Sequence, residues 1–492
     1  MDGSNVAIVI PINHNNSESK IYNLYRNYSS IQNVELVFVL NSPTNTRGFG
    51  KNMVLVTGTW TSIYEAHTLG MKQSSREVIL FLDMDQCISV ETIERFLTPI
   101  LTDKTDAVLN NMDYEYRKCR CTISILLFPL ITNYFINQTD LKMDSFMFLP
   151  YALNRKAIEK FKVNTLDNPV TTHLMLMQNN IRVSRHLPIR NLYKLNDKEW
   201  FQSYSQAVDY HLQAYAQCFK NHNCAGFTSG GRRIDLLTDL LSDKGEIVPL
   251  IKSNIYADAK SNLSIIIPAQ NEEKCIKSIL IECKKLNPLE IVVVVNGSSD
   301  RTASIAEELG ATIIVFEEKL GLDIGRAIGA YFSSGEIVLF LDGDFVIPAH
   351  DIKPFVDAIK QGADVALNNK NAFLDKKSQF HPVLACKYAL NIACGREDLG
   401  ICSTVAIPHA YSRKCIETIG YESLANPALS YVKSLIGGPV VEQVHQVDVN
   451  VLNRFRPTTH YRMQKDRLAP TTSVIMGDHI EALKYLGKVR YS

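Results

Sequence analysis

No sign of charge dominates this chain: 52 lysines and arginines stand against 51 aspartates and glutamates. It therefore offers no broad basic field for nucleic acid and no acidic tail. Long apolar runs are missing too. The most apolar stretch outside the strand-like segments, Thr122 to Ile136, is interrupted by Pro129 and is too short to span a bilayer comfortably, so a buried or interfacial segment is expected. Paired CxxC clusters of the zinc-binding kind are absent. The 11 cysteines are odd in number and sit in apolar or helical contexts such as Cys275, Cys283 and Cys386, while Cys119-Arg-Cys121 stands alone. Reduced thiols in a cytosol fit that pattern. The opening MDGSNVAIVIPINHN has an acid where an export signal has positive charge, and its apolar run is of strand length. The expected location is cytoplasmic.

What is present is enough for an enzyme of two or three domains: 492 residues, 46% hydrophobic and 21% charged. The chain also reads as one pattern written twice. Ala7-Ile-Val-Ile-Pro11 is answered by Ser264-Ile-Ile-Ile-Pro268, and Leu36-Val-Phe-Val-Leu-Asn41 by Ile291-Val-Val-Val-Val-Asn296. Ser75-Arg-Glu-Val-Ile-Leu-Phe-Leu-Asp-Met-Asp85 is answered by Ser334-Gly-Glu-Ile-Val-Leu-Phe-Leu-Asp-Gly-Asp344. Later matches, Leu166-Asp-Asn-Pro169 with Leu424-Ala-Asn-Pro427 among them, extend the repeat over most of each half. Strand-like runs alternating with helical stretches predict an α/β fold with a mostly parallel, doubly wound sheet in each half. The expected domains are 1–225, a linker at 226–262 containing a short amphipathic helix around Ile234 to Leu241, and 263–492 with a C-terminal helical tail.

In such sheets ligands bind beyond the carboxyl ends of the strands. Asp342-Gly343-Asp344 directly follows the apolar run Ile337 to Leu341, which sends both carboxylates from a strand end toward that crevice. Two carboxylates, waters and a nucleotide diphosphate complete the oxygen shell that Mg2+ or Mn2+ prefers. The plain alternative is a turn at a loop start. Two further strand-end signatures argue against it. Pro268-Ala269-Gln-Asn271-Glu272-Glu273 provides an amide and carboxylates able to bond a base edge or ribose, or else a capped helix start with Asn271 as the cap. Asn296-Gly297-Ser298-Ser299-Asp300-Arg-Thr302 is a turn leading into a helix, where Ser299 or Asp300 would otherwise simply cap. Together the loops are expected to hold a nucleoside, with Asp342 on the ribose or sugar and Asp344 on the metal.

PAQNEE, VVVNGSSDRT, GLDIGRAIGA and VLFLDGD, in this order, resemble the motifs of family 2 glycosyltransferases and their GT-A relatives over most of residues 263 to 457. The resemblance implies two tandem GT-A domains. It also implies a nucleotide-diphosphate-sugar donor, UDP-sugar favoured, Mn2+ or Mg2+ at the DxD, and glycosyl transfer, hexosyl first, to an acceptor the motifs do not name. Arg326 lies where a basic side chain approaches the diphosphate in the family, although Gly325 and Gly329 suit close helix-to-sheet packing equally well.

The pattern is broken where inverting members carry an acidic pair as acceptor base, since both halves have Asn-Pro there, Asn168-Pro169 and Asn426-Pro427. An amide takes no proton at neutral pH. Either Glu422 or Asp448 serves instead, or the reaction is retaining, as in the glucosyl-3-phosphoglycerate synthases that the layout also resembles. In that subgroup a histidine after the last strand joins the metal. Here Asn453 falls near that position, with His460 and His445 as alternatives, and Arg454, Arg456, Arg462, Lys465 and Arg467 are close enough to bind phosphate or to form a solvated face.

The first half keeps Asp83 and Asp85, but replaces Asn271-Glu272 by the His14-Asn15 region, the second loop by Asn41-Ser-Pro-Thr-Asn45, and Arg326 by His67. A degenerate copy serving assembly or acceptor binding is expected. Two rivals are weaker. A sugar nucleotidyltransferase needs a glycine-rich, arginine-containing loop that is missing after Pro268, and a carbohydrate-binding scaffold would not need Asn271, Glu272, Asp342 and Asp344 together. No nucleic-acid partner is indicated, and homo-oligomerisation is open.

Overall fold

The computed structural model describes residues 5–13, 17–31, 33–41, 50, 52–113, 123–160, 166–189, 197–219, 227, 229–242, 250–252, 261–373, 381–452 and 468–491. They fall into two compact units, Met1–Asn221 with Tyr491–Ser492, and His222–Arg490.

The first unit contains β1 (Val6–Ile12), β2 (Val34–Leu40), β3 (Met53–Thr57), β4 (Val78–Phe81), β5 (Ala107–Leu109), β6 (Tyr151–Asn154) and β7 (Val183–Arg185). Among the described residues they form one sheet in the order β3-β2-β1-β4-β6-β5-β7. Only β6 runs antiparallel to its neighbours in it. All seven residues of β1 are buried. Helices cover both faces of such a sheet, so its central strands are continuous apolar runs. Side chains alternate between two cores: Ala7 and Val9 face one cluster, Val6, Ile8 and Ile10 the other.

The second unit contains β8 (Leu250–Lys252), β9 (Leu263–Ala269), β10 (Glu290–Asn296), β11 (Thr312–Phe316), β12 (Ile337–Phe340), β13 (Val365–Asn368), β14 (His409–Ser412) and β15 (Val441–His445). Its order is β15-β13-β14-β12-β9-β10-β11-β8. Read from the other end and without β8, this is the strand order of the first sheet, with β14 as the antiparallel strand in place of β6. β8 pairs antiparallel with β11 at the edge. The stretch 226–262, expected as a connector, thus supplies a strand to the second unit, together with the helix Ile234–Leu241.

Two sequence features have clear local causes. A Cβ at Gly329 would collide with Ile266 of β9, and one at Gly70 with Val9 of β1, so each unit brings a helix onto its central strand through a glycine. Each Asn-Pro opens a helix. Asn168 accepts from Val170 N and Thr171 N, Asn426 accepts from Leu429 N, and the prolines take a first-turn position where no N–H is needed. The apolar stretch expected to be buried forms the helix Ile123–Phe135, in which Phe128, Ile131 and Phe135 are fully buried. Among the described residues no helix is long and apolar enough to cross a membrane.

Candidate functional site

Strands β9, β10 and β12 lie side by side and parallel, so the loops that leave them emerge at one edge of the sheet. Gly343 lets the third loop press on the first: a Cβ there would stand 2.9 Å from Pro268 O and 3.1 Å from Ala269 Cβ. The first and second loops are stitched together. Asn271 has φ of 55°, a left-handed conformation that asparagine tolerates. Its N–H donates to Ser298 Oγ at 3.0 Å, and its Oδ1 accepts from Ser299 N at 2.9 Å. Glu272 N donates to Thr302 Oγ1 at 2.8 Å and Glu273 N to Asp300 Oδ2 at 3.0 Å. Asn271 is therefore a loop fastener and not a helix cap. The following helix starts later, at Ile276, with Cys275 at its cap position and no side-chain cap bond. Asn296 does similar work on its other side, accepting from Leu320 N at 2.5 Å and donating to Gly321 O at 3.1 Å. Gly297 has φ of 60°, and a Cβ on it would meet Lys319 N at 3.0 Å.

Behind the Asp342 carboxylate runs a line of alternating charges that the sequence did not reveal. Arg326 Nη2 lies 2.9 Å from Asp342 Oδ1, and its Nη1 lies 2.7 Å from Asp323 Oδ1. Arg232 Nη2 lies 2.8 Å from Asp323 Oδ2, and its two Nη atoms hold both oxygens of Asp478 at 2.5 and 2.8 Å. Burial alone would lower the Arg326 pKa, but the carboxylates of Asp323 and Asp342 outweigh it and hold the group above its ordinary value. The guanidinium expected near a diphosphate is thus bound to two carboxylates, where it fixes the Asp342 side chain. Arg232 came from a Gly-Gly-Arg-Arg turn that reads as linker, Asp478 from the C-terminal helix, and Asp323 from a motif noticed for its glycines. Pairing across such separations leaves no local signal.

Asp342 keeps a side-chain exposure of 35% and lines a cavity of about 450 Å³. Among the described residues no third histidine, cysteine or acid joins the two aspartates in a metal-holding group. The two carboxylates still fit a hard divalent ion, because such ions accept few protein oxygens and complete their shell with water and phosphate. Of the other candidates, His445 Nε2 lies 3.1 Å from Asp351 Oδ1. Glu422 is largely exposed, 3.8 Å from Lys433 Nζ. Asp448 precedes Val449, which lines the cavity. Asn453, His460 and the basic cluster Arg454, Arg456, Arg462, Lys465 and Arg467 lie outside the described residues, as do Cys119, Cys121 and the His14-Asn15 region.

Residues 264–410, which span the three loops and β9 to β14, match the family model described as Glycosyl transferase family 2. They form a family 2 glycosyltransferase domain. The chain is 30% identical over 119 residues to an undecaprenyl-phosphate 4-deoxy-4-formamido-L-arabinose transferase of Pectobacterium atrosepticum, covering 22% of this chain and 36% of that protein. It is 31% identical over 116 residues to a dolichol-phosphate mannosyltransferase of Pyrococcus furiosus, covering 22% and 33%. The chain thus spans about a third of the length of these curated relatives. Among solved structures, glucosyl-3-phosphoglycerate synthase from Mycobacterium tuberculosis in complex with Mn2+, UDP and phosphoglyceric acid is similar at 20% identity and a TM-score of 0.33, over 40% of this chain and 72% of that one.

Proposed function

We propose that the second unit transfers a sugar from a nucleotide-diphosphate donor to an acceptor, and that Asp342 and Asp344 are the centre of its site. The observation that carries this reading is the placement of Asp342-Gly343-Asp344 against the Pro268–Ala269 loop, within the residues that match family 2. Asn271, Glu272, Asn296, Gly297 and Ser298 build the neighbouring loops, whose internal bonds hold a rigid rim for the nucleoside. Preorganisation of this kind lowers the ordering cost of binding.

Asp344 and the Asp342 oxygen not engaged by Arg326 would hold Mn2+ or Mg2+. A divalent ion there supplies positive charge to the leaving diphosphate. Arg326 keeps Asp342 in one orientation and sets a positive charge beside the acidic pair.

The test is a screen of nucleotide sugars, UDP-sugars first, with and without Mn2+, read both as a shift in melting temperature and as release of the nucleoside diphosphate. Metal-dependent stabilisation and release by at least one donor are expected. If no nucleotide diphosphate shifts the melting temperature with Mn2+ present, the proposal fails.

A further inference from the structure

The cavity beside Asp342 also has Lys370 and Lys387 in its wall. Both side chains are buried, each with 7% exposure. A buried ammonium is costly unless an anion meets it. Asp448 acts on Lys370, whereas among the described residues no carboxylate pairs with Lys387, whose charged neighbour is Lys370 itself. Burial and that neighbour pull the Lys387 pKa down to about 8, which still leaves it mostly protonated at neutral pH. The thiol of Cys402 and the buried, neutral ring of His479 are the other titratable groups around it. Two helix starts add to the positive field. Val383 and Leu384, from the first turn of the helix Pro382–Ala393, line the cavity, as do Thr471 and Thr472 from the first turn of the helix Pro470–Tyr491.

The first unit shows that this fold does not need lysine at either place. Asn368 Nδ2 donates to Ile407 O and Val447 O, as Asn110 Nδ2 donates to Leu149 O and Ile189 O. Two residues on, the second unit has Lys370 and the first has the buried Met112. Asn391 Nδ2 donates to Gly400 O and Cys402 O, as Asn133 Nδ2 donates to Lys142 O and Asp144 O. Four residues back stand Lys387 and Pro129. Equivalent frames thus hold two cations in one unit and two uncharged residues in the other.

We infer that this cavity is the acceptor subsite, and that Lys370 and Lys387 bind an oxyanion, phosphate or carboxylate, carried by an acceptor whose hydroxyl is presented toward Asp342. The inference rests on the transferase reading above. Its test uses the full chain and inorganic phosphate as probe, with UDP plus Mn2+ in parallel. Phosphate raises the melting temperature of the wild type. Lys387→Met and Lys370→Met each weaken phosphate binding roughly ten- to hundredfold, the loss of one charge-assisted contact, and keep the UDP–Mn2+ shift. Without phosphate, Lys387→Met melts above the wild type, because it removes a buried charge, whereas a merely structural lysine would give the opposite sign. Should Lys387→Met not fold, Lys370→Met carries the phosphate comparison alone. No phosphate shift in the wild type, or equal shifts in all three proteins, overturns the inference. A phosphate shift without any UDP–Mn2+ shift counts against the donor reading and leaves the oxyanion site standing. Lys387-dependent sedimentation with phosphatidic acid vesicles would place the oxyanion on a lipid; a phosphate shift without such sedimentation would place it on a soluble acceptor.

Discussion

Asp342 and Asp83 end equivalent strands, β12 and β4, yet only Asp342 receives a guanidinium, from Arg326. The residue in Arg326's place in the first unit is His67, fully buried, whose Nε2 lies 3.1 Å from Leu82 O and whose pKa burial lowers to about 4. Where the second unit has Asp323, the first has Tyr64, which donates to Met147 O. Asp85, the counterpart of Asp344, is exposed and bonded to Lys20 at 3.0 Å. One fold therefore carries two aspartate pairs with opposite surroundings. In the second unit the charges reach Asp342 from behind, while in the first a lysine meets Asp85 from solvent and the residue in Arg326's place is a buried, neutral histidine. The two pairs thus share a strand-end motif and differ in ionic support, which in the second unit reaches back from Asp342 to Asp478.

The largest effect expected from breaking this asymmetry is on turnover. Asp344→Ala should reduce metal-dependent transfer roughly thousandfold, the scale of losing a principal electrostatic contact to a leaving group, while Asp85→Ala stays within about twofold. Initial rates on the donor found by screening check this, and equal losses would make both pairs functional. Next comes a transplant. Arg326→His places the first unit's residue between Asp323 and Asp342, leaving two carboxylates without their cation, and should cost about 3 kcal/mol in urea unfolding. The reverse change, His67→Arg, brings a guanidinium beside Asp83, the counterpart of Asp342, but with Tyr64 where the second unit has its other acid, Asp323, and should destabilise the first unit by less.

A smaller effect follows from pH. The folded pKa of His67, about 4, lies below its ordinary 6.5. Its neutral form therefore contributes full stability above pH 6.5, and that contribution is lost as pH falls toward 4. Between pH 7 and pH 5 the wild type should lose about 2 kcal/mol more than His67→Gln. Parallel pH curves would contradict a buried neutral ring. The smallest effect belongs to Lys20→Ala. An exposed pair of this kind contributes at most about 1 kcal/mol, so stability should barely change. If removing Lys20 created a new Mn2+ site, the first unit would be a masked copy and not a degenerate one.

Much of the fold was legible because it is periodic. The strand runs, the helix Ile234–Leu241 and the shared strand order all follow from apolar segments that the two halves repeat. The loops were legible as an ordered set, but the roles of their residues were not. Asn271 reads as a base or ribose contact or as a helix cap, and Asn296 as part of the nucleoside loops; what the sequence does not show is that Asn271 caps no helix and that both amides also tie loops together, through a left-handed turn and a close backbone approach. Arg232 and Asp478 could not be found from the sequence, since they meet at a separation of 246 residues. Lys370 and Lys387 were passed over for a related reason: a lysine on a helix or after a strand reads as solvated, and only packing reveals that both are buried beside Asp342.

The two units are expected to differ in donor binding, which only the second should show. Calorimetric titration of the full chain with UDP in the presence of Mn2+ tests it most directly. One UDP per chain is expected, with binding abolished by Asp344→Ala and unchanged by Asp85→Ala. Two UDP per chain, or binding that survives Asp344→Ala and disappears with Asp85→Ala, would contradict it.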